Sequence, residues 1–399
     1  MAARYPGDLL SSQSGLAPQP PVPPPNAASE APLPRGGAVE LPAAGQSALR
    51  QLTLGRLLEE AVGRGASDLH LTAGVPPLFR IDGHLRISDH PPLNRETMQR
   101  MVFSILNDHQ VREFEERWEL DCSTEVEGIG RFRVNVHRQR GSVEAAFRIV
   151  NEVIKPLKEL GIPKVVEELS RRNNGLLLIT GPTGSGKTTT MAAIIDQINR
   201  ERRCMIVTIE DPIEYIHRPF KSVIKQREVH FDTHSFNDAL RHVLRQDPDV
   251  ICIGEMRDLE TISTALTAAE TGHFVLATIH TPDAAQTIDR VIDVFPPHQQ
   301  QQIRMQLASA LVGIVAQQLV PLAGQGGRAL AVEILVANSA VRKIIRTAKH
   351  EQLTSVMQTS SDLGMTTMDK SLKNLYQLGL ISYDDARSRC RYPEAFEAL

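Results

Sequence analysis

Apolar positions recur along this chain with two periods, and the period in force changes with position. Leu54, Leu57, Leu58, Ala61 and Val62 fall on one helical face, with Thr53 placed to cap the first turn. "ASDLHL" then reads as a strand. "LFRIDGHLRIS" alternates Phe79 and Ile81, then Leu85 and Ile87, around Asp82-Gly83, a two-residue hairpin signal. Helical patterns follow over 94–106 and 109–118. "RFRVNVHRQR" and "VEAAFRIV" return to strand. In the first of these, Phe132, Val134 and Val136 share one face while Arg131, Arg133 and His137 share the other. Together these elements predict a compact α+β domain over 49–150.

A linker over 151–163 leads to a second domain over 164–399. There "GLLLIT", "CMIVTIE", "DVICIGE" and "HFVLATIH" alternate with helical patterns. Near-continuous apolar strands separated by helices predict a parallel sheet covered on both faces, so the fold class is α/β. Ligands of such sheets bind at the carboxyl ends of the strands. The loop at 181–188, Glu210 to Glu214, Glu255 and His280 each end an apolar run. From about 296 the chain reads as mostly helical through "HQQQQIRMQLASALVGIVAQQLV", with a strand-like "ALAVEILVA" and short helices to the end.

Composition adds limits. Residues 1–48 hold ten of the 25 prolines. Such a segment cannot bury enough apolar surface to offset its ordering entropy, and a disordered, partly polyproline tail is expected. A net charge of −3 and 4% aromatic residues argue against a nucleic-acid partner, which asks for a basic stripe or stacking aromatics. Cys122, Cys204, Cys252 and Cys390 are far apart, without zinc-binding spacing. No apolar run reaches the ~18 residues of a membrane span, so no direct membrane insertion is expected.

The chemistry begins at "GPTGSGKTTT", which fits G-x-x-x-x-G-K-[ST] between a strand and a helix. Gly181, Pro182, Thr183, Gly184, Ser185, Gly186, Lys187, Thr188 and Thr189 are the candidate nucleotide-binding residues. Glycines let backbone N–H groups close around phosphate oxygens. Lys187 supplies a point charge, the Thr188 hydroxyl can ligate Mg²⁺, and the helix start turns its positive end toward the anion. A nucleoside triphosphate, ATP, with Mg²⁺ is the implied pair.

Glu255 ends "VICIGE", where P-loop enzymes place a carboxylate acting on Mg²⁺ through water. Glu210, Asp211 and Glu214 follow another strand, and a carboxylate there can orient water and take its proton. His280, at a carboxyl strand end, is placed to sense a γ-phosphate; His273 starts the same strand. Arg133 and Arg148 belong to the first domain, and arginines on a separate domain suit delivery from a neighbouring subunit as fingers onto transition-state charge.

"GASDLHLTAGVPPLFRIDG", "RFRVNV", "GPTGSGKTTT", "TIEDPIEYIH", "DPDVICIGEMRDLETISTALTAAETGH", "TIDRVIDVFP" and "LGMTTMDKSLKNL" occur in order. This series resembles the bacterial type IV pilus retraction ATPases of the type II/IV secretion ATPase superfamily, over about 53–398. The resemblance implies a PAS-like N-terminal domain and a RecA-like P-loop ATPase domain with a helical C-terminal part. It implies a homohexamer with ATP between the domains of adjacent subunits. It further implies a cytoplasmic motor, peripheral at the inner membrane through a pilus platform protein. Lys187 becomes the Walker A lysine, Glu255 the Walker B glutamate and Glu214 the catalytic glutamate. His273 and His280 match a histidine box, Arg133 and Arg148 arginine fingers, and Arg290 a further arginine. "SAVRKIIR" is similar to a C-terminal element written "AIRNLIRE" but differs in several letters, and the proline-rich tail has no counterpart. The alternatives are a pilus-extension or secretion ATPase, a RecA-like nucleic-acid motor, and a regulatory module with a vestigial site. The first usually carries a larger N-terminal domain and a four-cysteine motif, which this sequence lacks.

Overall fold

The computed structural model describes residues 49, 51–81, 83–150, 153–324 and 326–393. The expected tail over 1–48, the first two linker positions and Asp82 of the hairpin turn lie outside them.

Helix α1 (Leu54–Gly63) starts at Thr53, whose side chain accepts a hydrogen bond from the Arg56 N–H at 3.4 Å. It buries Leu54, Leu57, Leu58 and Ala61, while Val62, expected on the same face, is 39% exposed. Strands β1 (Asp68–Leu71), β2 (Leu78–Ile81) and β3 (His84–Ile87) follow, then α2 (Arg95–Phe103) and α3 (Asp108–Arg117). Next come β4 (Glu119–Val126), β5 (Gly130–Gln139) and β6 (Ser142–Ile149). The pairings make an antiparallel sheet in the order β3-β2-β1-β6-β5-β4. Phe132, Val134 and Val136 enter a core with Phe79, Phe114 and Phe147, which leaves Arg131, Arg133 and His137 on the opposite face. Strand β4 carries no clean alternation and was not legible; it forms because β5 offers it a full edge, paired from Glu119↔His137 to Val126↔Gly130.

After α4 (Lys164–Ser170) come β7 (Gly175–Thr180), α5 (Lys187–Glu201), β8 (Met205–Glu210) and β9 (Val223–Glu228). The chain continues through α6 (Phe236–Val243), β10 (Val250–Ile253), α7 (Leu259–Glu270), β11 (Phe274–Ile279), α8 (Ala284–Asp293) and α9 (Pro297–Ala310). It then forms β12 (Leu311–Pro321) and β13 (Arg328–Val336). Four short helices close the described chain: α10 (Ser339–Thr347), α11 (Leu353–Thr359), α12 (Met368–Gln377) and α13 (Tyr383–Arg389). The second sheet runs β13-β12-β7-β11-β10-β8-β9. Its pairs are parallel except β13, which returns antiparallel to β12. In β7, Leu176 and Leu178 enter the core on one face and Leu177 and Ile179 the core on the other, all fully buried. Each such side chain stabilises by roughly 1.5–3 kcal/mol, which is why the run is continuous rather than alternating.

One expectation is corrected. The stretch through "SALVGIVAQQLV" is not helical beyond Ala310: it is β12, laid between β7 and β13. Val312, Ile314, Val315 and Val320 favour a strand at χ1. Gly313 admits the close approach of β13, since a Cβ there would lie 2.8 Å from the Leu335 carbonyl oxygen.

Candidate functional site

Strand β7 delivers the chain to Gly181 and α5 receives it at Lys187, so the six intervening residues must reverse direction over the sheet edge. Gly181 (φ 140°) and Gly186 (φ 90°) hold the left-handed conformations this needs. A Cβ on Gly181 would collide with the Gln317 carbonyl oxygen of β12. The Lys187 ammonium folds back and donates to the carbonyls of Gly181 (2.9 Å) and Pro182 (3.0 Å). Burial lowers its pKa, against the opposing pull of Glu255 and Glu214. A buried cation at a helix N-terminus is a site that gains from an anion.

Above the loop lies a cleft of about 590 Å³. Thr183, Gly184, Gly186, Lys187, Thr188 and Thr189 form its floor, and Glu210, Asp211, Glu214, Glu255 and His280 its wall. Gly181, Pro182 and Ser185 shape the loop without lining the cleft. The Thr189 hydroxyl is 2.9 Å from that of Tyr215, which ties α5 to the acidic turn. One carboxylate oxygen of Glu255 accepts from the Arg257 guanidinium at 2.6 Å and the other lies 3.4 Å from His280 Nε2. Burial raises the Glu255 pKa, but the hydrogen bond from Arg257 and the charges of His280, Arg257 and Lys187 outweigh it and leave the carboxyl below its ordinary value. Glu210 is the opposite case. It is 7% exposed, and burial pushes its pKa up despite hydrogen bonds from Thr208 (2.6 Å) and Gln226 (3.1 Å). Glu214 is exposed at the cleft and free to reach forward.

Arg133 lines the same cleft, reaching it from β5 of the same chain. The arginine expected to arrive from a neighbouring subunit thus lines the cleft of its own chain. Arg148 does not line the cleft. It sits directly opposite Arg133 in the β5–β6 register, and its guanidinium donates to Asp68 at 2.9 Å. His273 stands at the other end of β11, with Nδ1 3.0 Å from the Ala268 carbonyl oxygen. Arg290 is exposed on α8, also away from the cleft.

The type II/IV secretion system protein family matches residues 43–382 of the sequence. The chain belongs to this family. It is 48% identical over 340 residues to a type IV pilus retraction ATPase, PilT, of Pseudomonas aeruginosa, covering 85% of this chain and 98% of the relative. It is 44% identical to a twitching motility protein of Neisseria gonorrhoeae, over 80% of this chain and 85% of that one. A crystal structure of the pilus retraction motor PilT with bound ADP superposes with a TM-score of 0.82 at 48% identity. That match covers 88% of this chain and all of the other. The mixed α/β architecture, an N-terminal domain followed by an ATPase domain, is that of the secretion ATPases.

Two charged residues that line the cleft were not singled out by the sequence, Arg257 and Arg328. Arg257 stands inside "GEMRD", yet only the structure shows it on the Glu255 carboxylate. Arg328 opens β13 after a glycine pair and lines the cleft from the strand beyond β12. No periodicity or motif singles it out.

Proposed function

We propose that this chain is an ATP-hydrolysing motor that retracts a type IV pilus, acting as a homohexamer against a pilus platform protein of the inner membrane. The observation that carries the reading is one cleft holding Lys187, Glu255, Glu214, His280 and Arg133 together. The similarity to pilus retraction ATPases over nearly their full length supports the direction of work. No described helix is long and apolar enough to cross a membrane, which suits a cytoplasmic protein held there by partners.

The chemistry follows from the side chains. The loop N–H groups and Lys187 bind the β- and γ-phosphates, and the lysine releases its two carbonyl contacts to do so. Glu214 orients a water in line with the γ-phosphorus and takes its proton as the new O–P bond forms. The bond to the β-phosphate oxygen breaks, and ADP leaves with the electron pair. Arg133 faces the charge that builds on the transferring group. The donor set fits a hard divalent cation: the Thr188 hydroxyl and, through water, Glu255 would hold Mg²⁺, which neutralises phosphate charge when bound. His280, against Glu255, is placed to report whether the γ-phosphate is present. Arg148, His273 and Arg290 do not line this cleft, so they take no part in this hydrolytic step.

Deletion of the gene in its host tests the direction of work. Excess surface pili without twitching is the expected phenotype; bald cells would identify an extension motor instead.

A further inference from the structure

Glu228 ends β9 at the carboxyl edge of the second sheet and is 5% exposed. It does not line the cleft. One of its carboxylate oxygens accepts from the Ser123 hydroxyl at 2.7 Å. The other accepts from the Arg131 guanidinium at 2.7 Å and from the backbone N–H of Ile213 at 3.2 Å. Arg131 also donates to the Ser123 hydroxyl at 2.9 Å, and its side chain is 13% exposed. Ser123 and Arg131 belong to the N-terminal domain; Ile213 belongs to the acidic turn.

The neighbours of these contacts matter most. Ile213 immediately precedes Glu214. Arg131 precedes Arg133 by two positions on the same face of β5, about 7 Å along the strand. A buried carboxylate with three polar contacts to three segments is costly to leave unpaired, so it holds those segments in one arrangement. We propose that Glu228 is a positioning residue for hydrolysis, which fixes the turn bearing Glu214 and the strand bearing Arg133 relative to each other across the two domains. The proposal rests on the roles given above to Glu214 and Arg133. It makes the N-terminal domain part of the hydrolytic apparatus rather than an appended module.

The experiment compares full-length Glu228→Ala, Glu228→Gln, Arg131→Ala and Glu228→Ala/Arg131→Ala. Glu228→Ala should lower kcat at least about tenfold with the KM for ATP changed less than about threefold, since the phosphate loop is untouched. Glu228→Gln keeps an acceptor for Ile213 but loses the charge facing Arg131, and should fall between. The double variant should be no more than about twofold slower than Glu228→Ala, because both changes break one contact. Limited proteolysis across 153–163 should accelerate in Glu228→Ala and not in Glu214→Ala. A folded Glu228→Ala with wild-type kcat, a rise in KM alone, or multiplicative losses in the double variant would overturn the proposal. If Glu228→Ala does not fold, Glu228→Gln and Arg131→Ala carry the same comparison. Wild-type turnover by Glu214→Ala would instead sink the site assignment, while the proteolysis still judges whether Glu228 clamps the domains.

Discussion

His280, just past the end of β11, presents Nε2 3.4 Å from the Oε1 oxygen of Glu255, which lies just past the end of the neighbouring β10. The second oxygen of Glu255 is taken by Arg257. Burial alone would raise this carboxyl; Arg257, His280 and Lys187 together hold it below its ordinary value. A depressed carboxylate stays ionised as pH falls until its own lowered pKa is reached. Removing Arg257 takes away a hydrogen bond and a charge, so the Glu255 pKa rises. The acid limb of kcat/KM against pH should move to higher pH in Arg257→Ala, because that profile reports the free enzyme. An unmoved limb would assign it to another group.

Arg133 and Arg148 face each other in register, yet only Arg133 lines the cleft. Arg148 is bound to Asp68, which also lies opposite it on β1. Arg133→Ala should lose on the order of 10³ in kcat, the scale of a missing arginine finger. Arg148→Ala should lose less than about tenfold. Steady-state ATPase rates of the two variants decide this, and equal losses would mean that Arg148 leaves Asp68 during turnover.

This pair also shows where sequence reading stops. Strands such as "GLLLIT" and "HFVLATIH" were legible because a strand covered on both faces needs apolar residues at every position. The phosphate loop was legible because its glycines answer a backbone requirement that few other sequences meet. Strand β12 was misread as helix, since "SALVGIVAQQLV" carries both periods and only its place between β7 and β13 decides. The cleft's arginines were half legible. The alternation of β5 put Arg131 and Arg133 on one face, but nothing local said that this face meets the other sheet. Arg328 shows the extreme case, a residue whose relevance is created wholly by tertiary placement.

Glu210 allows a test that does not involve turnover. Burial raises its pKa above the unfolded value, with Thr208, Gln226 and the Glu214 backbone offsetting part of the effect. A carboxyl with a raised folded pKa contributes its full stability below the unfolded pKa, near 4.3 for Glu, and loses it as pH rises through the folded value. Glu210→Gln cannot ionise. The melting temperature of the variant minus that of the wild type should therefore increase from about pH 4 to about pH 8, whatever the offset at the acid end. Parallel melting curves across that range would show that the buried carboxyl does not titrate abnormally.

The last prediction separates the two glutamates of the cleft. Glu255 lies two residues past the end of β10 and is engaged on both oxygens, by Arg257 and His280, so its position is fixed. Glu214 is exposed on a turn, and its neighbour Ile213 is anchored from behind by Glu228. A fixed carboxylate suits a metal held through water; a forward-reaching one suits the attacking water itself. Glu214→Ala should bind ATP with near-normal affinity at every Mg²⁺ concentration but hydrolyse it at least ~100-fold more slowly, the scale of a lost general base. Glu255→Ala should lose rate and also need more Mg²⁺ to reach half of its own maximum, because the cation's outer contact is gone. Both should stay folded, since neither carboxylate packs in a core. The measurement is nucleotide affinity and kcat across a Mg²⁺ titration for each variant. If Glu214→Ala turns over like the wild type while Glu255→Ala is inactive at all Mg²⁺ concentrations, Glu255 must be the base, and the acidic turn must serve only to shape the cleft.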